Sequence, residues 1–166
     1  MSYIPIENLN MKIAQISIAS QTYNPSTNAK LLFENVICDE ANIITLSADK
    51  RSFVLAPGKS YFMSIALNGT VVTTSGNQQV IMDFYNETAG SYISQSASRL
   101  IKSHTQYRGH CSFNVEGMLL NTSVNNTISL RSVTGNWSTN STYTPYYNEG
   151  NSKPNSVLTI LYKDNQ

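Results

Sequence analysis

Hydrophobic and polar residues alternate along most of this chain with a period of two. KIAQISIAS (Lys12 to Ser20) sets Ala14, Ile16 and Ile18 on one face against Ile13, Gln15, Ser17 and Ala19 on the other, as in a strand with one buried side. LLFENVICD (Leu31 to Asp39) follows the turn-rich NPSTN, and NIITLS (Asn42 to Ser47) and SFVLAP (Ser52 to Pro57) read as short strands joined by the polar ADKR turn. After Pro57-Gly58, SYFMSIALNGT (Ser60 to Thr70) collects Tyr61, Met63, Ile65 and Leu67 on one face, and the hairpin-type pair Asn68-Gly69 is expected to end it. QQVIMDFYNE (Gln78 to Glu87), HCSFNVEGMLL (His110 to Leu120), NTISLRSVTG (Asn126 to Gly135) and SVLTILYKD (Ser156 to Asp164) continue the pattern. SYISQSASRLIKS (Ser91 to Ser103) reads as a strand and then a loop, with a helical turn as the alternative. The total is some eight to ten strands.

Both faces of SVLTILYKD are apolar almost to its end, which predicts a strand central in its sheet or one with a face against another subunit. No segment combines a 3.6-residue period with helix caps. Turn signals every eight to twelve residues or so, with long irregular connections, predict an all-β sandwich of the jelly-roll kind. The expected organisation is a short N-terminal arm over 1–12 and one domain over 13–166.

Composition narrows the function classes. Charged residues are 13% of the chain and the net charge is +1, while Asn, Ser and Thr together make up about a third. No basic run exceeds Lys50-Arg51, so neither a nucleic-acid partner nor an anionic membrane surface is predicted. No stretch approaches the ~20 apolar residues of a membrane helix, and the first residues lack the pattern of a secretory signal. Six Asn-X-Ser/Thr triplets, at Asn68, Asn86, Asn121, Asn125, Asn136 and Asn140, are what chance produces in so Asn-, Ser- and Thr-rich a chain. Cys38 and Cys111 read as two buried free thiols, with a single disulfide between them as the alternative.

Catalytic chemistry is thin. His104 and His110 have no nucleophile or metal-ligand motif around them, and Asp83, Glu87 and Glu116 enter as a possible glycosidase-type carboxylate pair only because acids are scarce. No enzyme activity, cofactor or metal is predicted. The richest candidate for ligand binding is GNWSTNSTYTPYYNEGN (Gly135 to Asn151), a long loop in which Trp137, Tyr143, Tyr146 and Tyr147 stand among amides and hydroxyls, chemistry suited to a sugar ring or a protein hot spot. Asn86 to Arg108, with Tyr85, Tyr92 and Tyr107, repeats it more dilutely.

The stretch NIITLSADKRSFVLAPGKSYFMSIALNGT resembles C1q/TNF-like domains, through Phe53, Leu55, Pro57 and Gly58 leading into the aromatic strand of Tyr61 and Phe62. The order of strands out to SVLTILYKD is similar too, and the likeness covers about residues 12 to 164. The resemblance implies a homotrimeric jelly roll with one sheet at the three-fold axis, and Tyr61, Met63 and Tyr162 are the candidate interface residues. Such heads occur on complement-related and cytokine-like proteins, on spore filaments, on phage tail fibres and on viral capsid spikes. The polar composition and the missing collagen-type repeat and signal favour the phage or viral branch, which implies a non-enzymatic virion-surface protein. Its expected partners are other capsid or fibre proteins and a host-surface glycan or protein. Tyr3, Ile4 and Ile6 are the candidate docking anchors in the arm. A soluble carbohydrate-binding or cytokine-like module is the alternative, and a glycan-acting enzyme comes third.

Overall fold

The computed structural model describes residues 10–19, 21, 28–72, 77–93, 97–102, 108–133, 142–145, 147–148, 153–154 and 156–165, with side chains over 10–19, 21, 28–67, 81–93, 114–133 and 156–165. The docking candidates Tyr3, Ile4 and Ile6 lie outside them. The chain forms strands β1 (Lys12–Ile18), β2 (Phe33–Asp39), β3 (Ile44–Leu46), β4 (Phe53–Leu55), β5 (Lys59–Val72), β6 (Asn77–Asn86), β7 (Ser91–Tyr92) and β8 (Ala97–Lys102). It continues with β9 (Arg108–Leu119), β10 (Asn126–Ser132), β11 (Thr142–Pro145), β12 (Tyr147–Asn148), β13 (Lys153–Pro154) and β14 (Val157–Asp164).

Two antiparallel sheets face each other. The front sheet runs β11-β5-β14-β1-β2 with β9 also paired to β5, and the back sheet runs β3-β4-β10-β6-β7 with β8 also paired to β6. As its two-sided apolar pattern predicts, β14 lies centrally, between β1 and β5. The core between the sheets takes alternate residues from both: Ala14, Ile16 and Ile18 of β1, Tyr61, Met63, Ile65 and Leu67 of β5, and Leu158, Ile160 and Tyr162 of β14 meet Phe53, Leu55, Met82, Phe84, Ile128 and Leu130. Phe33 and Phe53 join the sheets edge to face, with ring centroids 5.3 Å apart.

Two local devices turn the chain between the sheets. The Asp39 carboxylate accepts the backbone N–H groups of Ile43 at 2.9 Å and Ile44 at 2.8 Å, which closes the turn from β2 into β3. Gly58 follows Pro57 with φ +79°, donates its N–H to the Thr122 carbonyl at 2.7 Å and accepts from Asn165 N–H at 2.9 Å. That left-handed residue starts β5 in the register that buries Tyr61 and Met63.

Asn68-Gly69 does not form the expected hairpin. β5 runs straight through it, with Gly69 opposite Cys111 of β9 on one side and Pro145 of β11 on the other, because ladder bonds to two neighbours outweigh a dipeptide's turn preference. The expected long loop over 135–151 likewise contains β11 and β12. The two cysteines cannot pair within the chain. Cys38 is on β2 and Cys111 on β9, four strand spacings apart, or roughly 19 Å, where a disulfide needs Cα atoms within about 7 Å. Cys38 is a free, half-buried thiol rather than a core one.

The sandwich has two unlike ends. Short turns over 40–43, 56–58, 87–90 and 120–125 join strands at the end where β1 begins and β14 finishes, with Lys12 opposite Tyr162. The strands that bracket 19–32, 73–76, 103–107 and 133–141 finish at the opposite end, named the loop end for the loops the sequence predicts there.

Two core positions give expected outcomes. A Cβ on Gly117 would stand 3.0 Å from a Phe84 ring carbon and 3.4 Å from the Met63 methyl, so Gly117→Ala is expected to lower the unfolding free energy by an overpacking cost of about 1–3 kcal/mol, read as a lower urea midpoint. The buried Tyr162 hydroxyl has no hydrogen-bond partner among the described residues, so Tyr162→Phe is expected to raise the unfolding free energy by about 1 kcal/mol, read as a higher urea midpoint with an unchanged m-value.

Candidate functional site

Side chains that miss the core of the front sheet fall on its outer face, and the register lines them up. Ile13 of β1 is opposite Leu161 of β14, Leu161 is opposite Phe62 of β5, and Phe62 is opposite Met118 of β9. One apolar row therefore crosses four strands on the outside of the sandwich. Ile13 is 44% exposed and Met118 53%. Beside the row a groove of about 260 Å³ is lined by Met11, Phe62, Met118, Leu120 and Leu161, with Lys163 at its edge. The next row toward the loop end, Gln15, Thr159, Ser64 and Glu116, is polar, and Gln15 Nε2 donates to Thr159 Oγ1 at 3.4 Å. Water wets one side of many antiparallel sheets, and such faces are ordinarily polar, so a cross-strand apolar row on this side is a departure from the usual pattern.

Tyr61, Met63 and Tyr162, the interface candidates from sequence, lie on the other side of these strands. They are 1%, 0% and 0% exposed, held in the core of the chain itself, with Tyr61 Oη donating to the Ala56 carbonyl at 2.7 Å. Burial pushes both phenols to higher pKa, with the partner tyrosine the next cause for Tyr61 and Asp39 the next for Tyr162. Their immediate neighbours in sequence, Phe62 and Leu161, carry the outer face. The same alternation that signalled Tyr61 and Met63 contains Phe62; a single sequence does not say which parity faces out.

The outer face of the back sheet differs. Glu87 pairs with Lys30 at 2.8 Å and with Arg131, and accepts from Ser129 Oγ at 2.7 Å. Arg131 lies over the Tyr85 ring, 3.9 Å from its centroid, and donates from Nε to Ser129 Oγ at 3.0 Å. Partial burial works to raise the Glu87 pKa, but the hydrogen bonds from Lys30, Ser129 and Arg131 together outweigh it and hold the carboxyl down at about 2. Asp83 is buried opposite Arg131, so it shares this face with Glu87, whereas Glu116 is on the outer face of the front sheet. The sandwich thus separates Glu116 from the other two, and those three acids form no facing pair across it.

Of the aromatic ligand candidates, Tyr143 is in β11 opposite Val71 and Tyr147 is in β12 opposite Pro154, by backbone position. Trp137 and Tyr146 lie outside the described residues, as does His104. The pairing of β11 with residues 69–72 of β5 puts Tyr143 at the loop end, away from the chain's entry at Met11.

Comparison with solved structures decides the architecture. Eiger TNF from S. frugiperda superposes with a TM-score of 0.60 at 9% sequence identity, covering 94% of this chain and 95% of that one. The fold is a TNF-like jelly roll. The globular domain of the zebrafish complement 1qA protein also matches, with a TM-score of 0.47 and 11% identity over 93% of this chain and 98% of that one. No family model and no curated protein matches the sequence.

The Glu87 network has a pH signature. A carboxyl held at about 2 when folded, against 4.5 for the free group, stabilises the protein fully above pH 4.5 and progressively less as pH falls toward 2. Glu87→Gln is expected to flatten that acid limb of the stability curve and to cost about 1 kcal/mol at pH 7, a figure scaled down because the network is in contact with solvent. Urea midpoints measured from pH 7 to pH 2 check both.

Proposed function

We propose that this jelly roll is a non-enzymatic head domain that assembles as a homotrimer through the outer face of its front sheet and presents its loop end to a host-surface receptor or glycan from the surface of a virus particle. The observation that carries the assembly is the row Ile13, Leu161, Phe62 and Met118, which gives a cyclic arrangement a continuous apolar band at one height in every copy. The polarity of the sandwich supports the presentation. The chain enters beside that band, while the strands bracketing the Trp137 segment and Tyr143 finish at the other end. A charge-poor, amide- and hydroxyl-rich composition supports the placement on a particle. Other capsid or fibre proteins are then the partners at the entry end, where Tyr3, Ile4 and Ile6 would serve as anchors. The likeness to Eiger TNF favours a second reading, a free cytokine-like module, in which the same trimer acts in solution.

Light scattering over a range of concentrations tests the assembly. The native chain is expected at three times its 18.4 kDa mass, and Phe62→Glu, which places a charge in the apolar row, at the monomer mass with its circular dichroism unchanged. A native chain that stays monomeric, or a Phe62→Glu chain that stays trimeric, overturns the interface. Co-sedimentation of the trimer with particles separates a particle-borne head from a free module.

A further inference from the structure

We propose a second binding site, for a neutral pyranose ring, on the outer face of the back sheet at its β7 edge, with Tyr92 as the stacking platform. It is distinct from the loop end and does not depend on trimer formation. Tyr92 is paired with Tyr85 in register, and their rings meet edge to face at 5.0 Å and 78°. Its hydroxyl donates to Asn28 Oδ1 at 3.3 Å. Asn28 is itself pinned in the left-handed region at φ +64°, with its N–H donating to the Ser132 carbonyl at 3.0 Å. The Tyr85 ring in turn is held by the Arg131 guanidinium, which Glu87 and Ser129 fix from behind. Tyr92 is therefore held at its hydroxyl and by the Tyr85 ring, and yet the residue remains 37% exposed, on a strand of two residues at the sheet edge.

A large aromatic surface that is both rigid and wet binds at small entropic cost, because no side chain has to be ordered when the ligand arrives. The chemistry around it selects the ligand. Lys30 and Arg131 share the Glu87 carboxylate, and Asp83 stands opposite Arg131 in the register, so two cations and two carboxylates balance one another and the patch does not select an ionic ligand. What it offers is an aromatic side chain with the Asn28 amide against its hydroxyl, and the Lys30 ammonium, paired with Glu87, farther along the same face. A sugar ring matches that set: its C–H face stacks on the aromatic ring and its hydroxyls exchange hydrogen bonds with the amide and ammonium.

Saturation-transfer NMR on the full chain tests the site with methyl β-D-galactopyranoside, methyl α-D-mannopyranoside and N-acetyl-D-glucosamine at millimolar concentration. Transfer to the ring protons of at least one sugar is expected, accompanied by amide shifts at Ser91, Tyr92 and Ile93. Tyr92→Leu keeps an apolar side chain but loses the aromatic face, and is expected to weaken binding about tenfold. Tyr92→Phe keeps the face and is expected to retain binding. No transfer from any of the three sugars, no movement of the Ser91–Ile93 amides, or Ser91–Ile93 amide shifts that persist at the same sugar concentration in Tyr92→Leu would each overturn the proposal. The first two outcomes are read on the unmodified chain, so the test holds even if a variant fails to fold.

Discussion

Pairing of β5 on both edges constrains nearly everything else in this molecule. Residues Lys59 to Ile65 bond to β14 on one side, Gly69 to Val72 bond to β11 on that same side, and Tyr61 to Val72 bond to β9 on the other. In a pleated strand, a slip of one residue would turn Tyr61, Met63, Ile65 and Leu67 outward and bring Phe62, Ser64 and Ala66 into the core. The register therefore decides at once which side chains hold the sandwich together and which form its outer surface. Gly58 sets it at the start of the strand, and Gly117, opposite Met63 and under Phe84, lets the back sheet approach β9 closely.

With so few charges in the chain, their placement is informative. Asp164 near the end of β14 pairs with Lys12 of β1 and Lys59 of β5, clamping three adjacent strands where the chain enters the domain. Hydrogen bonds from Lys59 first and Lys12 second lower its pKa, although as an exposed group it adds little stability. Glu87 is the hub of the corresponding arrangement on the back sheet, joining Lys30, Ser129 and Arg131. The apolar band on the front sheet and the charge-balanced, aromatic surface on the back sheet thus give the sandwich two unlike faces.

Much of the fold was legible from alternation alone. The stretches beginning at Lys12, Leu31, Asn42, Ser52, Ser60, Gln78, His110, Asn126 and Ser156 all contain strands, because a half-buried pleat imposes its period directly on residue type. Misreadings arose where local preference competed with long-range pairing. Asn68-Gly69 looks like a hairpin until β9 and β11 are alongside it, and Thr142 to Pro145 looks like loop until residues 69–72 of β5 supply its ladder partners. Cys38 and Cys111 looked equally buried, whereas the strand order separates them across the front sheet.

The candidate sites were less legible, for the same reason. Tyr61, Met63 and Tyr162 stood out as aromatic and apolar, but residue type does not distinguish the two faces of a strand that is apolar on both. Phe62 and Leu161 became surface residues only through the pairing of β5 with β14. The union of Asn28, Lys30, Tyr85, Glu87, Tyr92 and Arg131 required three separated segments to meet on one sheet face. By itself the sequence determined the all-β class, most strand positions and a polar surface poor in charge, since these follow from period and composition. The tertiary structure alone decided which parity faces inward, which strands are neighbours and which charges pair, because those depend on contacts between residues far apart in the chain.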